Sequence, residues 1–380
     1  MRFLHTSDWH LGRIFHGLHM TENQASVLKE LIALAVDQQV DAVLIAGDIY
    51  DRAVPPTPAV ELLDWTLAQL VQKHHIPVIL IAGNHDNPER LGFGQSLFAE
   101  KQLFIYGPVT KNAAPVLLYD AFGPVYFAPL TYCEPLVAAE ISGLPIKTHE
   151  EALHWQVEQM LRQIPPTARK VALAHVFLSG AQESPDSERP LALGGSTTVA
   201  INNFAAFNYT ALGHLHACQK SDNKTRYSGS LLKYSFNEVN QHKGVHIVDL
   251  DQDGNVTTKT LTLTSPHELA CLRGNFADLL AHPRPELIQH YLQITLDDAQ
   301  PILDAKYRLE QCYPHILHLE YARLLKNNTE PSDITQRKQL GVKELFVSFF
   351  TQINDRPLTT AEEELLNTTI NAAQQTERRS

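Results

Sequence analysis

The chain has 380 residues, 44% hydrophobic and 19% charged, with a formal net charge of −11 and 19 histidines. At about 150 residues per domain this suggests two or three domains; no apolar run approaches the roughly 18 residues of a membrane span, and the opening MRFLHTSDWH lacks the apolar stretch of a secretory signal. Four scattered cysteines (Cys133, Cys218, Cys271, Cys312) form no CxxC pair, as expected in a reducing cytoplasm, and the acidic balance offers no basic footprint for nucleic acid, although bound metal ions would add positive charge.

Residues 2–7 read as a strand. Thr21 and Gln24 have capping-box spacing and open a helix over about 22–38. Residues 42–46 (AVLIA) and 78–82 (VILIA) are short apolar runs ended by Gly47 and Gly83, the pattern of buried strands. Between them Pro55, Pro56 and Pro58 mark a loop, and a helix follows to about His74. Strand-like stretches come near 103–106, 115–118 and 124–128, then a helix near 149–163. Residues 171–174 and 209–212 are further apolar strands, and 177–206 between them reads as a long loop. Stretches 226–230, 244–250 and 256–263 look like edge or sandwich strands, the last two joined by a turn at DQDG. Past Ser265 and Pro266 the pattern changes to a smaller α/β domain, with helix-like stretches and a strand at 290–296. Amphipathic helices at 343–351 and 360–373, separated by Pro357, end the chain.

Metal-competent residues follow five of these strands. The first leads to Asp8 and His10 (SDWH), the second to Asp48 (GDIYD), the third to Asn84, His85 and Asp86 (GNHD), the fourth to His175, and the fifth to His214 and His216 (GHLH). In open α/β sheets ligands bind beyond the carboxyl ends of strands, where loops converge on a rigid frame. Gly47, Gly83 and Gly213 precede the polar residues and permit tight turns and close backbone approach. Imidazoles, carboxylates and an amide oxygen without a thiolate suit manganese, iron or zinc rather than calcium. Seven ligands are too many for one ion but suit a pair, with one carboxylate bridging.

In this order, SDWH, GDIYD, GNHD, the histidine after VALA and GHLH resemble the calcineurin-like metallophosphoesterases. HTSDWHLG, ALGHLHACQ and RYSGSLLKYSFNE are similar, more closely, to the SbcD family of nuclease subunits. The resemblance implies an α/β fold: a four-layer αββα sandwich at 1–265 carrying the nuclease, a small α/β capping domain at 266–341 and a helical partner-docking tail at 342–380. It implies two divalent ions, manganese by preference. Asp8, His10 and His216 would hold one, Asn84, His175 and His214 the other, and Asp48 would bridge. His85 would act on the transition state or leaving oxygen, and Asp86 would orient a histidine. Some relatives carry a histidine where this chain has Asp51, so Asp51 receives no catalytic role. The implied activity is cleavage of DNA, exonucleolytic on duplex ends and endonucleolytic on single strands and hairpins, in DNA repair and recombination. The implied partners are an SbcC-type ATPase and a second copy of the chain, in a heterotetramer.

Simpler readings stand beside these. His5 fits a core position, Trp9 packing, and Cys218 a small buried hydrophobe. Arg13, Arg52 and Arg90 follow ligand motifs but fit solvated surface. A metallophosphoesterase for a small substrate, such as a cyclic nucleotide, would share the site but have no use for the residues beyond Ser265. A binding module with a purely structural metal would have no use for His85.

Overall fold

The computed structural model describes residues 1–184 and 197–323 and, towards the C-terminus, residues 343, 347, 350, 356–363, 365 and 366. Most of the expected helices at 343–351 and 360–373, the end of the expected capping domain and the middle of the expected 177–206 loop lie outside the described residues. The chain divides into two compact units, Met1–Ala270 and Cys271–Ser380.

In the first unit, β1 (Arg2–Thr6), α1 (Thr21–Asp37), β2 (Ala42–Ala46), α2 (Thr57–Ala68), β3 (Val78–Ile81) and β4 (Leu103–Tyr106) alternate. The four strands pair in parallel, as helical crossovers require. Val27, Leu28, Leu31 and Ile32 bury one stripe of α1, at the spacing of an amphipathic helix. α1 does not start as its sequence suggests. Met20 takes the N-cap position with no side-chain cap, and Gln24 turns inward to other partners. The end of α2 loosens into a π-turn at Gln69–Lys73.

The chain then builds a second sheet from β5 (Val116–Asp120), β6 (Gly123–Leu130), β7 (Arg169–His175), β8 (Tyr209–Gly213), β9 (Gln219–Lys220) and β10 (Thr225–Tyr227), with α3 (Pro135–Ser142) and α4 (His149–Leu161) between β6 and β7. Thr148 and Glu151 form a reciprocal capping box at the start of α4. The chain returns to the first sheet as the antiparallel pair β11 (Gly244–Leu250) and β12 (Val256–Thr262), joined by the expected turn after Leu250. The two orders are β12-β11-β1-β2-β3-β4 and β9-β10-β8-β7-β6-β5.

The sheets face each other across Phe3, Leu44, Ile79, Phe127, Val171, Tyr209 and Val248. Phe3 meets Phe127 and Tyr209 edge-on, at centroid distances of 5.9 and 5.6 Å. The other face of the second sheet packs Ala128, Ala172 and Leu212 against Leu153, Val157 and Met160 of α4. The result is the four-layer αββα sandwich. β1, β2, β3, β7 and β8 run in parallel within their sheets, and their carboxyl ends carry the residues singled out in the sequence.

Residues 269–321 form a three-stranded sheet of β13 (Leu269–Gly274), β14 (Tyr291–Leu296) and β15 (Ile316–Tyr321), with α5 (Phe276–Ala281) and α6 (Ala305–Leu309). Its core includes Leu272, Phe276, Leu292, Ile294 and Leu309. Arg308 lies 4.4 Å over the Phe276 ring.

Candidate metal centre

The loops after β1 and β2 zip together. Asp8 N donates to Gly47 O, His10 N to Asp48 O and Leu11 N to Ile49 O, at 2.9–3.0 Å. This pairing holds Asp8, His10 and Asp48 in left-handed backbone, at φ 52°, 46° and 50°. Such conformations cost about 1–3 kcal/mol each and persist only where the surroundings over-determine them. Backbone approach is equally tight at Gly213, where a Cβ would run into Ala46 O, and at Gly83, where it would strike Asp48. Any larger residue would push β8 or the GNHD loop away from the centre.

The side chains converge on Asp48. Its Oδ1 accepts from His85 N at 2.9 Å. Its Oδ2 lies 3.5 Å from His175 Nε2, 3.6 Å from His10 Nε2 and 4.0 Å from His85 Nε2. Asp8 accepts His214 N at 2.9 Å and is backed by Ser7. Asp8, His10 and His216 form one close group, and Asp8, Asp48 and His175 another.

Tautomers are set from behind. His175 Nδ1 donates to Ala46 O at 2.9 Å and His85 Nδ1 to Asp51 O at 2.8 Å. His216 Nδ1 donates to Glu238 Oε1 at 3.1 Å. In their neutral forms all three rings therefore present an Nε2 lone pair. Yet His216 Nε2 lies 3.0 Å from His10 Nε2, and His175 Nε2 lies 2.9 Å from Asn84 Oδ1. Each pair can be closed by a proton, on His10 Nε2 or on His175 Nε2, or by a metal ion.

Ligand bonds of about 2.0–2.2 Å place neighbouring donors on one ion roughly 2.8–3.6 Å apart. The His10–His216, Asn84–His175, His175–Asp48 and His10–Asp48 separations of 3.0, 2.9, 3.5 and 3.6 Å all fit. The donor set is nitrogen and oxygen only, and these residues fit divalent ions. His214 stands further off: its buried ring is 5.4 Å from that of His175, and it belongs to none of the close groups.

The field points the same way. Burial works against charge at His175, but the Asp48 carboxylate outweighs it and raises the imidazole to about 9. Burial would raise Asp48, but His175, His85 and His10 together hold it well below the usual carboxylate range. At Asp8 burial prevails, helped by Asp48, and lifts the carboxyl to about 6. Burial keeps His10 and His214 neutral. Positive charge is thus drawn to the space between Asp48 and His175, where a metal ion competes with a proton.

Asp86 was expected to orient a histidine. It accepts instead from the backbone N–H groups of Ile49, Tyr50 and Gly83, at 2.9–3.1 Å. It ties the GDIYD loop to the GNHD loop, because a carboxylate is the acceptor that can take three such donors. His85 keeps its ring at the edge of the centre, with 11% of its side chain exposed. His5 is a core histidine, bonded to Tyr209 Oη and Leu212 O. Trp9 is fully buried and donates to Thr6. Cys218 is half-buried beside His246. Arg52 and Arg90 are exposed, whereas Arg13 pairs with Asp51 at 2.8 Å.

Three residues with functional consequences carry no strand-end signal. Gln24 bonds Trp9 O, His10 O, Gly12 N and Tyr234 Oη, and so holds the loop around His10. Tyr234 donates to Trp9 O at 2.6 Å. Glu238 backs His216. Tyr234 and Glu238 lie in RYSGSLLKYSFNE, a stretch conspicuous in the sequence only through its resemblance to relatives.

The calcineurin-like phosphoesterase family model matches residues 1–218. A second model, described as the type 5 capsule protein repressor C-terminal domain (SbcD_C), matches residues 265–354. The chain is similar to the D chain of the nuclease SbcCD of Staphylococcus epidermidis, 31% identical over 362 residues, 94% of this chain and 95% of that protein. It also aligns with the crystal structure of a Thermus thermophilus protein, at 14% identity and TM-score 0.40 over 68% of this chain and 98% of that one. A dimetal phosphatase from Danio rerio aligns at 13% identity and TM-score 0.35, over 70% and 99%. At such scores the last two likenesses carry no weight for function.

Proposed function

This chain belongs to the calcineurin-like phosphoesterases, in the branch of the SbcD nuclease subunits, and from that premise we propose that it hydrolyses DNA phosphodiesters at a pair of divalent ions, acting with an SbcC-type ATPase. One observation carries the reading: a single oxygen, Asp48 Oδ2, lies within 4.0 Å of three imidazole nitrogens from three other segments. Asp8, His10 and His216 would hold one ion, and Asn84, His175 and His214 the other, with Asp48 between. When bound, the ions supply the charge that stabilises the attacking and leaving oxygens of an in-line displacement.

The protein's own residues do the rest. His85 N anchors Asp48 Oδ1 and leaves Oδ2 turned towards the imidazoles of His10, His175 and His85. The Asp51 carbonyl takes the His85 Nδ1–H and aims Nε2 at the rim, where the imidazolium form of the ring would give its Nε2 proton to the leaving oxygen. The nitrogen-and-oxygen ligand set admits manganese, iron or zinc, and the family resemblance favours manganese among them. The SbcD_C match favours a nuclease over a small-substrate esterase. Duplex ends, single strands and hairpins are the substrates, and the cytoplasm is the compartment; no helix among the described residues is long and apolar enough to cross a membrane.

We assign the second copy of the chain to the apolar cleft of about 1030 Å³ lined by Val60, Leu63, Leu67, Leu91, Phe93 and Phe98. Phe93 and nearby Leu97 are 82% and 73% exposed. Phe93→Glu with Leu97→Glu should convert a dimer to a monomer in sedimentation; a dimer that persists would move the interface elsewhere.

The test of function is cleavage of end-labelled linear duplex and hairpin DNA with added manganese, with and without the ATPase. Cutting that disappears in Asp48→Asn supports the reading. Hydrolysis of a simple phosphodiester without any DNA cleavage would move the substrate to small molecules.

A further inference from the structure

His216 is held from two directions by one buried ion pair. Glu238 is fully buried in the segment that follows β10. Its Oε1 accepts from His216 Nδ1 at 3.1 Å. Its Oε2 takes Lys243 Nζ at 2.6 Å and Tyr234 N at 3.2 Å. Lys243, also buried, donates to His216 O at 2.8 Å and to Ser230 Oγ at 2.9 Å. One ion pair therefore grips both the ring and the backbone of His216.

The other two oriented imidazoles are served differently. His175 and His85 give their Nδ1 protons to neutral backbone carbonyls, Ala46 O and Asp51 O. Of these three rings, His216 alone has a carboxylate behind it. A carboxylate polarises the imidazole more than a carbonyl does and makes the opposite nitrogen a stronger donor. A buried ion pair is weak ground for stability compared with apolar packing, so its placement here calls for another reason.

We propose that Glu238 is a positioning residue for the metal centre: by accepting the Nδ1 proton of His216, it fixes the tautomer and direction that aim Nε2 at the ion shared with His10. The inference rests on His216 being a metal ligand, as proposed above. Lys243 supplies the counter-charge that lets Glu238 stay ionised in the interior. Tyr234 joins the two halves of this ion's site, since its N–H meets Glu238 and its hydroxyl meets Trp9 O beside His10.

The test is a manganese titration of the full chain, counting free ion by electron paramagnetic resonance, with wild type beside Glu238→Gln. The amide keeps the shape and removes the charge. Wild type should bind two ions. In the variant one of the two should bind roughly 10–100-fold more weakly, the usual cost of losing such a partner, while the other is unchanged. The manganese concentration for half-maximal cleavage should rise by the same factor, with the plateau retained. Two unchanged affinities in the variant would overturn the role of Glu238 and leave the metal reading intact. Equal weakening of both sites with a lower melting point of the metal-free protein would make Glu238 a structural residue and also overturn it. A wild type that binds no manganese would sink the metal reading itself. If Glu238→Gln folds poorly, Glu238→Asp, which keeps the charge but retracts it, should weaken the same single site.

Discussion

His5 and His10 lie five residues apart, and both are buried, at 0% and 1% exposure. Burial depresses the basicity of both. Their surroundings differ. His5 and its neighbour His246 find neutral partners: Tyr209 Oη and Leu212 O for one, Thr260 Oγ1 and Tyr227 O for the other. His10 faces another imidazole nitrogen and a carboxylate, and its Nδ1 has no hydrogen-bond partner. Burial therefore does not separate a candidate ligand histidine from a core histidine. What separates them is whether the ring nitrogens are already satisfied or are aimed at other acceptors.

That contrast can be tested by substitution on each side. The largest effect should come from Asp48→Asn, which removes the charge shared by His10, His175 and His85. We expect at least about a 100-fold loss of cleavage rate, the scale of losing a central electrostatic contact. A loss under tenfold would mean that the carboxylate is peripheral.

His5→Ala should behave in the opposite way. It opens a cavity and leaves the Tyr209 hydroxyl without its partner, at a cost of about 2–4 kcal/mol in stability. Metal content and rate at saturating manganese should hold. Lost metal with unchanged stability would erase the distinction between the two histidines.

The core pair also has a pH signature. Burial lowers His246 to about 4, the Tyr227 carbonyl opposing. The folded state then binds fewer protons than the unfolded state, whose histidine titrates near 6.5. Stability from this group is present above about pH 6.5 and is lost as pH falls towards 4, by up to about 3 kcal/mol. Melting of the metal-free protein should fall more steeply over that range in wild type than in His246→Gln. Parallel curves would show that His246 is not kept neutral by the fold.

The smallest effect belongs to Arg52→Ala. Arg52 is 53% exposed and 3.8 Å from Asp51, so its removal should change stability by less than about 0.5 kcal/mol. A larger change would give this surface cation a role that the solvent-screened pair does not suggest.

The strands that carry the centre were legible because buried parallel strands are continuous apolar runs, and AVLIA and VILIA each end at the glycine before a polar motif. The candidate donor residues were legible for the same reason: they sit at fixed offsets from those runs. Local signals failed where the decisive partner is far along the chain. Thr21 and Gln24 have the spacing of a capping box, yet Gln24 serves the backbone of Trp9 and His10 instead. Glu238 reaches His216 across 22 residues, and Tyr234 reaches Trp9 across 225. No periodicity encodes such pairings. β15 was also missed: it buries one residue strongly and leaves the rest half-exposed, so it lacks a clear alternation.

The most direct measurement of the central claim is a crystal structure grown with manganese, with anomalous scattering used to locate the ions. We expect two peaks roughly 3.5–4 Å apart, with Asp48 Oδ2 between them, one beside His10 and His216 and the other beside Asn84 and His175. A single peak, or none within reach of Asp48, would contradict a two-metal centre.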